Sequence, residues 1–169
     1  MTTRLLIIGA IALSLLLAGC GKGSPKDASD WSYSPPDGFK QDENQHKNGA
    51  TWFMGPKDDG FTANLEFNAG TNSKDTAKQI GEQTLNKWKA NSDITVKEQE
   101  AFTIPDSDAY TWLITKKLPT GLLAEQRQFT VMKNGIVVQI TLTASANAFS
   151  KYDQALADSL QSFKWGKQN

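Results

Sequence analysis

The stretch LLAEQRQFTVMKNGIVVQITLT, residues 122–143, decides the fold. At its centre Asn134-Gly135 separates two runs of alternating apolar and polar residues. That dipeptide suits a two-residue hairpin turn, in which both central residues take positive φ. A turn at this place pairs Val131 with Val138, Phe129 with Ile140 and Arg127 with Leu142. One face of the hairpin is then Phe129, Val131, Val138, Ile140 and Leu142. The other is Gln126, Gln128, Thr130, Gln139, Thr141 and Thr143. A one-residue slip would turn the apolar set to water, so the register is fixed. Antiparallel sheets often keep one face wet, and the amide and hydroxyl face reads as solvent-facing. On that reading Gln128→Ala and Thr141→Ala each change stability by less than about 1 kcal/mol.

Further strands extend the hairpin on both sides. Residues 94–104 end at the turn Pro105-Asp106-Ser107, and residues 108–118 end at Pro119-Thr120-Gly121, with Pro and Gly where a type I turn wants them. Upstream, Phe61, Ala63, Leu65 and Phe67 alternate with Thr62, Asn64, Glu66 and Asn68, the period of a half-buried strand. Thr51-Trp52-Phe53-Met54 and the segment around Tyr33 read as short strands. Residues 34–39 and 55–60 read as turns, and 41–48 as a polar loop. A helix follows residue 73, with Ser73 as N-cap and Asp75 in its first turn. Its apolar face is Ala77, Ile80, Gly81, Thr84, Leu85 and Trp88. Gly81 there is read as allowing close approach to a sheet. A second helix carries Phe149, Tyr152, Leu156, Leu160 and Phe163 at helical spacing, capped by Asn147 or Ser150. The chain is therefore expected to be an α+β domain, an antiparallel sheet of about six to seven strands with two main helices packed on it.

The N-terminus carries a different signal. Arg4 precedes an apolar run, residues 5–17, too short to span a hydrocarbon core of about 30 Å, which needs about 20 helical residues. The run closes on Leu17-Ala18-Gly19-Cys20. Small residues before the cut fit an extended peptide in a peptidase cleft, and a cysteine thiol forms a thioether with a lipid donor. Residues 1–19 are thus read as a lipoprotein signal peptide cleaved between Gly19 and Cys20, with Cys20 as the lipidated residue. Residues 20–30 are a polar flexible tether, and residues 31–169 form a single domain. Gly21 is not a retention signal of the Asp type. The expected location is the outer membrane facing the periplasm in a diderm host, or the outer face of the plasma membrane in a monoderm.

YSPPDGF at residues 33–39, Gln126-Arg127-Gln128-Phe129, Lys133-Asn134-Gly135, Ile140-Thr141-Leu142-Thr143 and the final Phe-x-x-Tyr helix together resemble the PsbP/Mog1-like superfamily. Within it, the chain looks most like the DcrB-related and LpqN-type bacterial lipoproteins. The resemblance spans the whole mature domain. It implies a central antiparallel sheet with helices packed on it, sometimes on both sides. It also implies a role in binding, with no shared catalytic residues to carry over.

Composition narrows the function classes. Eighteen basic residues balance eighteen acidic ones, and Arg occurs only at positions 4 and 127, so a nucleic-acid binder is not expected. With a single cysteine there is no intramolecular disulfide and no cysteine-rich zinc site. His46 is the only histidine. A helical turn would bring Asp42 and Glu43 to it as metal ligands, but a solvated loop is the simpler reading. Asp58-Asp59-Gly60 lacks the ligand ladder of a calcium loop. Ser145 and Ser159 have no flanking pattern of an activated nucleophile, and no nucleophile elbow is present for a triad with His46. Of the five tryptophans, Trp31 and Trp165 are the ones expected at the surface. No metal, cofactor or catalytic residue is assigned. The chain reads as a non-catalytic binding or adaptor module held to a membrane through Cys20, with an unidentified protein partner. An envelope-protective or toxin-immunity role and an envelope hydrolase are the alternatives.

Overall fold

The computed structural model describes residues 31–42, 50–71 and 74–166. Gly19, Cys20, Glu43, His46 and Ser73 lie outside the described residues. Seven strands form one antiparallel sheet: β2 (Lys40–Gln41), β3 (Thr51–Asp58), β4 (Phe61–Thr71), β5 (Ile94–Ala101), β6 (Asp108–Lys117), β7 (Leu123–Lys133) and β8 (Ile136–Ser145), in the order β2-β3-β4-β8-β7-β6-β5. Two helices, α1 (Ala77–Lys89) and α2 (Phe149–Leu160), complete the α+β fold. A separate two-stranded ribbon pairs β1 (Trp31–Ser32) with β9 (Lys164–Trp165).

The central hairpin has the expected register. Val131 faces Val138, Phe129 faces Ile140 and Arg127 faces Leu142. Asn134 and Gly135 take φ of 50° and 77°, both positive as a type I′ turn requires. The apolar face is the main core: Phe129, Val131, Val138, Ile140 and Leu142 pack with Phe149, Tyr152, Leu156 and Leu160 of α2. Phe163 joins that core from beyond the helix end.

The opposite face is not wet. Gln126, Gln128, Thr130, Gln139 and Thr141 are all buried, and Thr143 is half-buried. The cause lies on the neighbouring strand. Tyr110, Trp112 and Ile114 of β6 pair with Thr130, Gln128 and Gln126, so they share this face. They form a second apolar cluster with Ala77 and Leu85 of α1. The hairpin itself adds Met132, packed against this cluster, and its cross-strand partner Val137, whereas β6 supplies most of the apolar surface a helix needs. Helices therefore cover both sides of the sheet. Gly81 has the close-approach role expected of it: a Cβ there would lie 2.5 Å from Cδ1 of Tyr110.

Several local readings are corrected. The N-cap of α1 is Thr76, whose hydroxyl accepts from the Gln79 N–H while Gln79 Oε1 accepts from the Thr76 N–H. Two satisfied donors make this capping box the better helix start, and Asp75 falls outside the first turn. Ala148 is the N-cap residue of α2, without a side-chain cap, because Asn147 instead donates to Asp59. Gly55 to Asp58 are not a turn but the end of β3, with the register shift between Met54 and Lys57. Pro56 has no N–H for a ladder, so it falls in that irregularity. The turn itself is Asp59-Gly60, φ 50° and 78°. Gln41 lies in β2 instead of the loop, and Tyr33 lies just outside β1. Trp31 and Trp165 are half-buried and face each other in the ribbon. Trp31 stacks on Phe67 and Phe163, with centroids 5.0 and 5.9 Å away.

Candidate functional site

Among the described residues, the buried polar face is a part of the domain that apolar packing does not account for. Sheet register sets its residues in rows across the strands. Trp52 on β3 faces Glu66 on β4, Glu66 faces Thr141 on β8, Thr141 faces Gln128 on β7, and Gln128 faces Trp112 on β6. At about 4.8 Å per strand, the two tryptophans stand about 19 Å apart. Asn64, Thr143 and Gln126 form the next row on one side, and Asn68, Gln139 and Thr130 the row on the other. Helix α1 packs against β5, β6 and β7, and reaches β8 where Gln139 donates to the Thr84 hydroxyl at 3.3 Å. The polar rows thus run out from under α1 towards Trp52.

Some of these groups are paired. Gln128 Nε2 donates to Thr141 Oγ1 at 3.3 Å, and Asn68 Nδ2 to Glu66 Oε1 at 2.7 Å. Others are not. Among the described residues, Trp112 Nε1, Gln128 Oε1 and Ser145 Oγ are buried on this face without a hydrogen-bond partner; a fourth such atom, Trp31 Nε1, belongs to the ribbon. A buried unsatisfied polar atom costs about 1–3 kcal/mol. Such atoms are few in native proteins and call for a reason. Trp112 offers a donor and its cross-strand neighbour Gln128 an acceptor, so a group that both accepts and donates satisfies them together.

This arrangement gives a stability prediction. In Gln128→Met an unbranched apolar chain replaces an amide with one weak hydrogen bond and one orphaned acceptor. The lost bond is worth about 0.5–1.5 kcal/mol and the removed penalty about 1–3. Urea denaturation is expected to show stability unchanged or raised by about 1 kcal/mol. A loss above about 2 kcal/mol would mean that Oε1 is well satisfied in solution.

The residues singled out in the sequence have mainly structural roles where they are described. Ser159 Oγ donates to the Leu156 carbonyl at 2.8 Å and accepts the Tyr33 hydroxyl at 2.6 Å. It ties the N-terminal segment to α2, and its proton is engaged by a backbone carbonyl. Burial pushes the Tyr33 phenol above its ordinary range, partly offset by Ser159. The Asp58 carboxylate accepts the Tyr152 hydroxyl, and Asp59 accepts Asn147 at 2.9 Å. The acidic pair therefore pins the β3–β4 turn to α2 and its lead-in. Burial and then Asp58 raise the Tyr152 phenol. Asp42 is half-buried, its N–H donating to the Trp52 carbonyl at 2.9 Å, while Glu43 and His46 lie outside the described residues. Among the described residues no three His, Cys, Asp or Glu side chains gather as a metal site.

Arg127 has a role the sequence reading missed. Its guanidinium donates to both Asp153 oxygens, at 2.7 and 3.0 Å, and to Glu98 at 2.7 Å. Burial opposes the Arg127 cation, but Asp153 and Glu98 more than offset it and hold its pKa above the ordinary value. The clamp joins β5, β7 and α2 beside a cleft of about 170 Å³ that includes Glu100, Phe102 and Phe129. A shallower groove of about 430 Å³ lies where the chain enters the fold, between Ser32–Ser34 and Gln161, Ser162 and Lys164. The one advance sign of the clamp was the scarcity of arginine.

No family model matches the sequence, and no curated protein is detectably similar to it. Solved structures are similar in fold. LpqN of Mycobacterium tuberculosis, a protein involved in cell envelope biogenesis, superposes with a TM-score of 0.66 at 15% identity, over 84% of this chain and 89% of its own. The cyanobacterial PsbP of Synechocystis sp. PCC 6803 gives 0.60 at 15% identity, over 88% and 98%. The Ran-binding protein Mog1p of Saccharomyces cerevisiae gives 0.56 at 10% identity, over 82% and 91%. The fold is PsbP/Mog1-like, and at these identities the likeness extends to the fold alone.

Proposed function

We propose that this chain is a lipid-anchored cell-envelope lipoprotein of the DcrB-related and LpqN-like kind, acting as a non-catalytic binding or adaptor module. Leu17-Ala18-Gly19-Cys20 at the end of an apolar segment supports the anchor. The involvement of LpqN in cell envelope biogenesis supports the location. The observation that carries the binding role is the sheltered polar row between Trp52 and Trp112, with its unpaired donor and acceptor. Stability alone favours apolar side chains there, whereas a ligand gives the amides a use. The occupant we infer is an extended segment of a protein partner lying along the Trp52 end of the row, where it runs out from under α1; Trp112 itself is fully buried beneath that helix.

Crosslinking in intact envelopes tests this reading. The wild-type chain is expected to give a discrete adduct that Gln126→Met with Gln128→Met removes while the melting temperature holds. An adduct that persists in that stable variant would place the binding surface elsewhere.

A further inference from the structure

One end of the domain is unlike the rest of its surface. Among the described residues the exposed large hydrophobic side chains are Leu122 and Leu123, 40% and 51% accessible. They sit on the β6–β7 turn, which closes through Gly121 N–H to the Leu118 carbonyl and Leu118 N–H to the Leu122 carbonyl, both at 2.8 Å. Lys117 pairs with Leu123 and Lys116 with Ala124. Lys116 lies over the Trp88 ring of α1, 5.0 Å from its centroid. The last turn of α1 brings Lys87 and Lys89 to the same end. None of these four lysines has an ion-pair partner among the described residues. The nearby carboxylates are Asp93, whose carbonyl accepts the Lys117 N–H, and Glu125, which is paired with Lys97. Asp58 and Asp59 occupy the other corner of this end, held by Tyr152 and Asn147. In a chain of zero net charge, this corner is a basic collar around an apolar tip.

Two exposed leucines at a tight turn suit insertion into a soft surface. Lysine is depleted at protein–protein interfaces, where arginine and aromatic residues are favoured. A collar of lysines below two leucines matches a bilayer interface instead, where apolar side chains enter the headgroup boundary and lysines meet anionic lipid. The tip also lies at the opposite end of the sheet from the tether. The chain enters at Trp31, beside Trp165, whose Nε1 bonds Ser107 at the start of β6. The eleven residues of β7 span about 36 Å. Residues 21–30, fully extended, reach about the same distance. The tether is long enough for the far end of the domain to return to its own membrane.

We propose that the β6–β7 tip is a lipid-contacting foot, with Leu122 and Leu123 entering the anchor's own bilayer and Lys87, Lys89, Lys116 and Lys117 meeting anionic headgroups. This rests on the reading of Cys20 as the anchor and is independent of the polar row. The test uses the full lipidated chain carrying Thr120→Cys, labelled with an environment-sensitive fluorophore. Thioether formation leaves Cys20 unable to take the dye. On vesicles of phosphatidylcholine and phosphatidylglycerol at about 2:1, the emission is expected to shift to the blue. It should stay unshifted on phosphatidylcholine alone, in high salt, and with either Lys116→Glu and Lys117→Glu or Leu122→Ser and Leu123→Ser. A probe at Asn134→Cys, at the other end of the hairpin, should not move. Equal emission from position 120 on both vesicles would overturn the proposal, as would an equal shift at position 134. Dye uptake by the wild-type chain would overturn the anchor itself, separately from the foot.

Discussion

Phe129→Ala is expected to destabilise the domain by about 3–5 kcal/mol, the range for a fully buried phenylalanine. Phe129 lies in the main core on the α2 side of the sheet, and its ring meets Phe102 at 4.7 Å with 65° between the planes. Its strand is held on both sides, by β6 and β8, so the backbone has little freedom to collapse into the space left. Part of the loss is transfer of the ring to water and part is the cavity. Against a total stability of about 5–15 kcal/mol, the variant should melt at much lower urea with an unchanged slope. A shift equivalent to less than about 1 kcal/mol would mean that this part of the sheet is not the folded core.

Cys20→Ala is expected to have an all-or-none effect. On the proposed lipoprotein reading the Cys20 thiol forms the thioether, and alanine has none. Without lipid the precursor is not a substrate for the peptidase that cuts before the modified cysteine, so it should accumulate uncleaved. Growth with a fatty-acid analogue should label the wild type and leave the variant dark. At least two acyl chains are needed for stable attachment, since a single chain holds only reversibly. Equal labelling of the two proteins would refute the lipoprotein reading outright.

The hairpin was legible in the sequence because two independent signals agreed. Asn134-Gly135 located the turn, and the apolar alternation allowed a single register. The capping box of α1 was equally present, as Thr76 and Gln79, but Ser73 and Asp75 offered a competing start three residues earlier. Three-dimensional contacts decided the rest. Burial of Gln128 depends on Trp112, sixteen positions away and meeting it only across β6 and β7. The Arg127 clamp depends on Glu98 and Asp153, carboxylates on separate elements that no local spacing connects to it. The polar row has the same origin, since its members come from five strands and become neighbours through the sheet order.

The ribbon that joins the two ends of the domain has a mechanical consequence. If the membrane pulls on the chain, the load enters at Trp31 and passes first to Lys164 and Trp165 through a ladder two residues long. Behind it stand the Tyr33–Ser159 bond and the Ser34 N–H to Ser162 bond of 3.0 Å. All of these partners belong to α2 or to the segment just after it. Through hydrogen bonds the tension therefore reaches the end of α2, and through the Trp31 and Tyr33 rings packed on Phe67 it reaches β4 of the sheet as well. This clasp would open first under force, paying out chain while the rows between Trp52 and Trp112 stayed in register.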